Sequence, residues 1–235
     1  MFKFIRKVIL QFIFKRKLLQ MAAEFNVQTY GELGKGRESP NYSQTIVLKG
    51  RIKESIDYVV SKNYDIMRQD EIYRAVKIMG KFQHDNIVKF VNWYVTNTKL
   101  FLILEYCPGG TLLDLLDRDV CLPESVISIF ASDLLSALHY IHKKGYIFHD
   151  LSPRNILLDE CGVLKLSDFA RATEIDDPVD LNLVDLEILE YLPPEVLISD
   201  SPSSFASDFY SLGCLMYKMA TGATPFLSST VEELK

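Results

Sequence analysis

Residues 148–170 read Phe-His-Asp-Leu-Ser-Pro-Arg-Asn-Ile-Leu-Leu-Asp-Glu-Cys-Gly-Val-Leu-Lys-Leu-Ser-Asp-Phe-Ala. Three side chains in this stretch carry the chemistry: Asp150, Asn155 and Asp168. Asn155 and Asp168 are hard oxygen donors of the kind magnesium takes together with nucleotide phosphates. Read one at a time, the same residues are solvated loop positions, with Asp150 a turn or helix-cap aspartate. Their meaning depends on what surrounds them.

Upstream of this stretch the chain divides into a β-type part and an α-type part. Tyr30–Lys62 reads as strands, with a Gly-rich turn at 34–36, then Thr45–Leu48 and Tyr58–Val60. Asp70–Phe82 has Ile72, Val76 and Met79 at helical spacing. Ile87–Tyr94 and Leu100–Tyr106 are two further β-type runs joined by the polar turn Thr96–Thr98. Cys107-Pro108-Gly109-Gly110 breaks the pattern. Leu122-Pro123-Glu124 then opens a long helix, Ser125–Lys144, with Ile127, Phe130, Leu134, Leu138 and Ile141 on one face. A β-rich part, a Gly-Pro link and an α-rich part predict an α+β fold of two lobes, with a nucleotide-sized cleft between them.

Composition narrows the function classes. The 235 residues are 48% hydrophobic and 24% charged, as in a soluble globular protein. Net charge is −5, yet Lys3, Arg6, Lys7, Lys15, Arg16 and Lys17 all fall in the first 20 residues. Removing those six leaves 20 basic against 31 acidic residues, a net −11 over 21–235. So acidic a body argues against nucleic acid as a partner. Cys107, Cys121, Cys161 and Cys214 have no metal-ligand spacing and point to a reducing, cytoplasmic setting.

Residues 1–24 form a basic, apolar leader that is expected to lie outside the fold. Its apolar run Val8–Phe14 is too short to span a bilayer, which takes about 20 residues. A surface helix at 1–20 that buries Phe, Ile and Leu against anionic lipid is one reading. A disordered leader, or a true start at Met21, is the other.

Four further motifs stand in a fixed order around the opening stretch. Leu104-Glu105-Tyr106 precedes Gly109-Gly110-Thr111-Leu112; Pro193-Pro194-Glu195 and Ser207-Asp208-Phe209-Tyr210-Ser211-Leu212-Gly213 follow it. With Asp150, Asn155 and Asp168 they make residues 25–235 resemble the eukaryotic protein kinase family. Within it, Asp-Leu-Ser-Pro-Arg-Asn-Ile-Leu-Leu and an eroded Gly-rich loop resemble the Fused and unc-51-like branch, which includes pseudokinases. The resemblance implies a β-rich N-lobe over about 25–106, a hinge over about 105–110 and a helical C-lobe over about 111–235. The family's last helices are expected beyond Pro225–Lys235, so the expectation is either a fragment of a longer kinase or a truncated C-lobe.

The resemblance also assigns roles. ATP and magnesium are the implied ligands, and a protein substrate or partner the implied macromolecule. Asp150 would accept the substrate hydroxyl proton, Asn155 would assist and hold one magnesium, and Asp168 the other. Lys62 would grip the nucleotide phosphates. Gly34, Gly36, Val47, Val60, Glu105, Cys107 and Leu157 would line the nucleotide site.

Several family positions are altered. Phe148 stands for the loop His, His149 for the Arg, Ser152 for the Lys and Ala170 for the last Gly of Asp-Phe-Gly. Ser39 takes the third glycine's place, and extra residues separate that turn from Ile46. The helix Glu that pairs with Lys62 falls on Ala75, nine residues before His84, with Glu71 one turn earlier. Val60 stands where Ala is usual. Phe148 is expected to stack with Phe169, Met79 and Phe90. Between Asp168 and Glu195 lie seven carboxylates (Glu174, Asp176, Asp177, Asp180, Asp185, Glu187 and Glu190), with Arg171 the sole base there and Ile188 where a Thr is usual. Phosphate added there would meet repulsion. The expectation is an ATP-binding domain whose phosphoryl transfer has weakened, working as a scaffold or regulator. A catalytically active Ser/Thr kinase is the alternative, and a small-molecule kinase a more distant one.

Overall fold

The computed structural model describes residues 27–36, 43–175, 186–198 and 204–226. The leader, Ser39 with the residues around it, Asp176, Asp177, Asp180, Asp185 and the segment after Phe226 lie outside the described residues. The chain forms two compact units, the first reaching Val76 and including Phe90–Tyr106, the second comprising Lys77–Lys89 and everything after Tyr106.

The first unit is an antiparallel sheet of five strands in the order β1-β2-β3-β5-β4. These are β1 (Val27–Lys35), β2 (Ile46–Ile52), β3 (Tyr58–Asp65), β4 (Phe90–Val95) and β5 (Lys99–Glu105). In the central strand β3, Val59, Val60, Ser61, Asn63 and Tyr64 are all buried, so both of its faces are covered. The two buried polar groups satisfy each other, Ser61 Oγ donating to Asn63 Oδ1 at 2.7 Å. Helix α1 (Gln69–Met79) buries Ile72, Ala75 and Val76, and its Tyr73 meets Trp93 of β4 edge to face at 4.9 Å. The helix stops at Met79, before Gly80, so the expected span to Phe82 is three residues too long.

Two strand expectations need correction. Gly34 is not a turn residue: it sits inside β1 opposite Val47, and pairing continues to Lys35 opposite Ile46. The run from Ile87 also does not enter the sheet at once. Val88 N–H donates to Leu166 O and Leu166 N–H to Asn86 O, both at 2.9 Å, so these residues pair with a different segment and β4 begins only at Phe90. Apolar content marked the run as buried without saying which strand would satisfy its backbone.

The second unit is mainly helical: α2 (Leu112–Asp119), α3 (Glu124–Lys143), the short α4 (Leu186–Leu189) and α5 (Pro194–Ile198), and α6 (Phe205–Thr221). Thr111 and Asp114 close a capping box on α2. Ile127, Phe130, Leu134, Leu138 and Ile141 of α3 are all buried, the face expected from their spacing. Two small antiparallel ribbons complete the unit: β6 (Tyr146–Ile147) with β9 (Thr173–Glu174), and β7 (Ile156–Leu158) with β8 (Leu164–Leu166). Asp133 on α3 accepts the N–H of Leu164 at 3.0 Å and so ties the second ribbon to the long helix. All four cysteines are free thiols. Among the described residues no helix is long and apolar enough to cross a membrane.

Candidate active site

Asp208 organises the loop that carries Asp150. Its carboxylate is fully buried on α6 and accepts the backbone N–H groups of Phe148 and His149, each at 2.9 Å. His142, at the end of α3, adds a contact from Nε2 at 2.7 Å. Four polar groups from three segments thereby converge, and the chain between Ile147 and Asp150 has its path fixed. His149 takes a left-handed backbone, φ 65°, and its Nε2 lies 2.9 Å from Thr173 Oγ1. Burial pushes its imidazole below the usual histidine range; Asp208 opposes this, while Arg171 and His142 reinforce it.

Asp150, Asn155 and Asp168 belong to one hydrogen-bonded path. Asp150 is buried, and its carbonyl accepts Asn155 Nδ2 at 3.2 Å and Ser152 N–H at 3.0 Å. That leaves the Asn155 amide oxygen as the ligand end of the side chain. Ser167 donates both its N–H and its hydroxyl to the Asn155 carbonyl, at 2.8 and 3.0 Å, and Asp168 follows directly with φ 65°. Ala170 N–H donates to Asp168 Oδ1 at 3.3 Å, so a non-glycine residue is accommodated there. The buried hydroxyl of Ser152 has no hydrogen-bond partner.

The aromatic packing is partly as expected. Phe148 and Phe169 are fully buried and meet edge to face at 5.1 Å. The second ring on Phe169 belongs to Phe82, at 5.4 Å, which also meets Tyr140 and Tyr146. The sequence placed Phe82 at the end of the helical stripe of Ile72, Val76 and Met79, and gave no sign that it leaves the helix to pack on Phe169.

Arg171 is the residue the sequence undervalued. It was legible only as the lone base of an acidic segment. Its Nε lies 3.4 Å from Asp150 Oδ2, with the carboxylate 3% and the guanidinium side chain 15% exposed.

The remaining candidates lie in the first unit, except Cys107 and Leu157. Gly34 pairs with Val47 and Val47 with Lys62, a row across β1, β2 and β3 on one face of the sheet. Val60, two residues from Lys62 on the same strand, shares that face. Glu105 ends β5 opposite Val59. Gly36 lies just past β1, where its N–H donates to Thr45 O at 2.7 Å, and an added Cβ would fall 2.7 Å from Thr45 Cβ. Gly34 has open space around its missing Cβ. Cys107 is buried at the start of the second unit, and half-buried Leu157 bridges to Thr111. Ala75 is buried, and Glu71 is bound by the Arg68 guanidinium at 2.6 and 2.9 Å, which in turn donates to Thr45 Oγ1 at 3.1 Å.

The donor set suits magnesium held jointly with phosphate. Asp168 and Asn155 supply one carboxylate and one amide oxygen. Among the described residues no group of three or more His, Cys, Asp or Glu forms a metal cage of its own. Magnesium sites of this kind take one or two protein oxygens and complete the shell with phosphate and water.

This arrangement of a five-stranded sheet, a helical unit and an Asp–Asn–Asp loop defines a kinase domain. A protein kinase domain family model matches residues 28–235, and the chain belongs to that family. Serine/threonine-protein kinase RUNKEL of Arabidopsis thaliana is 39% identical over 206 residues, covering 87% of this chain and 15% of that protein. Mouse serine/threonine-protein kinase ULK4 is 36% identical over 232 residues, covering 89% of this chain and 17% of that protein. Serine/threonine-protein kinase 36 of Pongo abelii is 32% identical over 195 residues, 80% of this chain and 14% of its own length. The chain thus spans under a fifth of the length of these curated relatives.

Proposed function

We propose that this domain binds ATP with magnesium and acts mainly as a regulatory or scaffolding pseudokinase with attenuated phosphoryl transfer. The carrying observation is the contrast inside one loop: Asp150, Asn155 and Asp168 are tied together, while Ser152 puts a buried, unpartnered hydroxyl where the family has a cation. Asn155 and Asp168 would hold magnesium, which when bound screens the phosphate charge. Lys62, in a row with Gly34 and Val47, would hold phosphate oxygens, and Val60, Glu105, Cys107 and Leu157 would border the base. Losing one electrostatic contact to a transferring group costs about 100-fold in rate.

The second reading is an active Ser/Thr protein kinase. Asp150 favours it: the carboxylate is buried beside Arg171 and would accept the hydroxyl proton. Either reading leaves a protein, as partner or as substrate, as the macromolecule engaged, with no role for nucleic acid. Free thiols favour a cytoplasmic setting, with residues 1–24 outside the kinase domain and membrane contact through 1–20 a lesser alternative.

Thermal denaturation with ATP, with and without magnesium, tests the proposal. A ligand that binds only the folded state raises Tm. A magnesium-dependent rise that Asp168→Asn abolishes is the expected result; no rise at saturating ATP sinks the nucleotide-binding reading. Phosphate transfer to protein that disappears in Asp150→Asn would replace the pseudokinase with the active kinase.

A further inference from the structure

We infer that Arg171 is the phosphate-facing cation of this site and the positioning residue for Asp150, replacing in function the charge absent at Ser152. The inference rests on the nucleotide-binding reading above.

A carboxylate buried as deeply as Asp150 is costly to hold ionised without a cation beside it. Ser152, two residues on, supplies no charge, and its hydroxyl touches no polar partner. The other basic side chains between Phe148 and Glu174 are poorly suited. Arg154 is solvent-exposed and Lys165 lies within β8. Burial disfavours a charge on His149, and its Nε2 lies against Thr173 Oγ1. Arg171 sets its Nε 3.4 Å from Asp150 Oδ2.

Its position on the chain also fits. Arg171 follows Phe169 by two residues, and the Phe169 ring is locked between Phe148 and Phe82. That packing fixes the backbone from which the guanidinium reaches the loop. Guanidinium groups bind phosphate oxygens as readily as carboxylates. The cation that neutralises Asp150 is therefore of the class that meets a terminal phosphate bound near Asp168. Its partial exposure keeps it accessible to ligand, whereas Ser152 is closed off.

Binding of magnesium-ATP and magnesium-ADP, measured by calorimetry on wild type, Arg171→Gln and Ser152→Lys/Arg171→Gln, tests this directly. Wild type is expected to prefer ATP. Arg171→Gln should weaken ATP about tenfold, the worth of one charge-assisted contact, and leave ADP within about twofold. The double variant should regain the preference, because the charge returns from position 152. Equal loss for both nucleotides would mean a merely structural role and overturn the inference. So would a stronger preference for ATP in Arg171→Gln, which would mark the ion pair as an obstruction. Should Arg171→Gln not fold, the double variant decides alone: folded with the ATP preference supports the inference, and anything else overturns it. Wild type that binds neither nucleotide overturns this inference and the proposed function together. Wild type that binds both, with the ATP preference kept in Arg171→Gln, overturns this inference only.

Discussion

His149 donates its backbone N–H to Oδ1 of Asp208 at 2.9 Å, across 59 positions of chain. The same carboxylate holds Phe148 N–H and lies against His142, so α6 fixes the loop that bears Asp150. Asp208→Ala would strand two buried N–H groups and an imidazole. A loss of about 3–5 kcal/mol is expected in urea unfolding, as for breaking a buried ionic contact from one side. A loss below about 1 kcal/mol would show that the loop is held by other means.

His149 gives the fold a pH dependence of known sign. Burial lowers its folded pKa below the ordinary 6.5. As pH falls through 6.5 the unfolded chain takes up a proton that the folded protein resists. The stabilisation is therefore present above 6.5 and is lost as pH falls toward the lower folded value. Between pH 7.5 and 5.5, wild type should lose more Tm than His149→Gln. Equal losses would remove His149 as the source.

Returning a histidine to position 148 should harm the fold. Phe148 is fully buried against Phe169, so an imidazole there would lose ring packing and bring polar nitrogens into an apolar contact. Phe148→His is expected to cost about 1–3 kcal/mol by chemical denaturation. A neutral or stabilising result would mean the aromatic contact contributes little.

The two glycines of the N-terminal hairpin should separate in a stability assay. At Gly36 an added methyl would sit 2.7 Å from Thr45 Cβ, whereas at Gly34 it meets nothing within 4 Å. Gly36→Ala should cost about 1–3 kcal/mol as overpacking, and Gly34→Ala less than about 0.5. The reverse order would contradict the hairpin geometry. With ATP present, a change confined to binding at Gly34→Ala would place that residue near phosphate.

Much of the fold was legible because it is written in local periodicity. The buried face of α3 follows from Ile127, Phe130, Leu134, Leu138 and Ile141, and the β-to-α change at Cys107–Gly110 from composition. Asp150, Asn155 and Asp168 were legible as an ordered set of motifs. What escaped depends on partners distant in sequence. Nothing near Ile87 says that its neighbours pair with Leu166, nothing near Phe82 says that it packs on Phe169, and nothing near Arg171 names Asp150. The Gly34–Lys35 segment was misread as a turn because glycine signals a bend unless a paired strand straightens it.

The ribbon of β7 and β8 has a consequence for how this site tolerates change. Asn155 stands immediately before Ile156 and Asp168 two residues after Leu166, so the twelve residues between them are the out-and-back path of one hairpin. Its tip, at Glu160–Gly162, is solvent-exposed. Residues added at the tip lengthen a loop and leave Asn155 and Asp168 where they are. A single residue added within either strand shifts the register and rotates Asn155 or Asp168 away. Exposed Cys161 at that tip is thus a natural attachment point for a fluorophore or crosslinker that leaves Asn155 and Asp168 undisturbed.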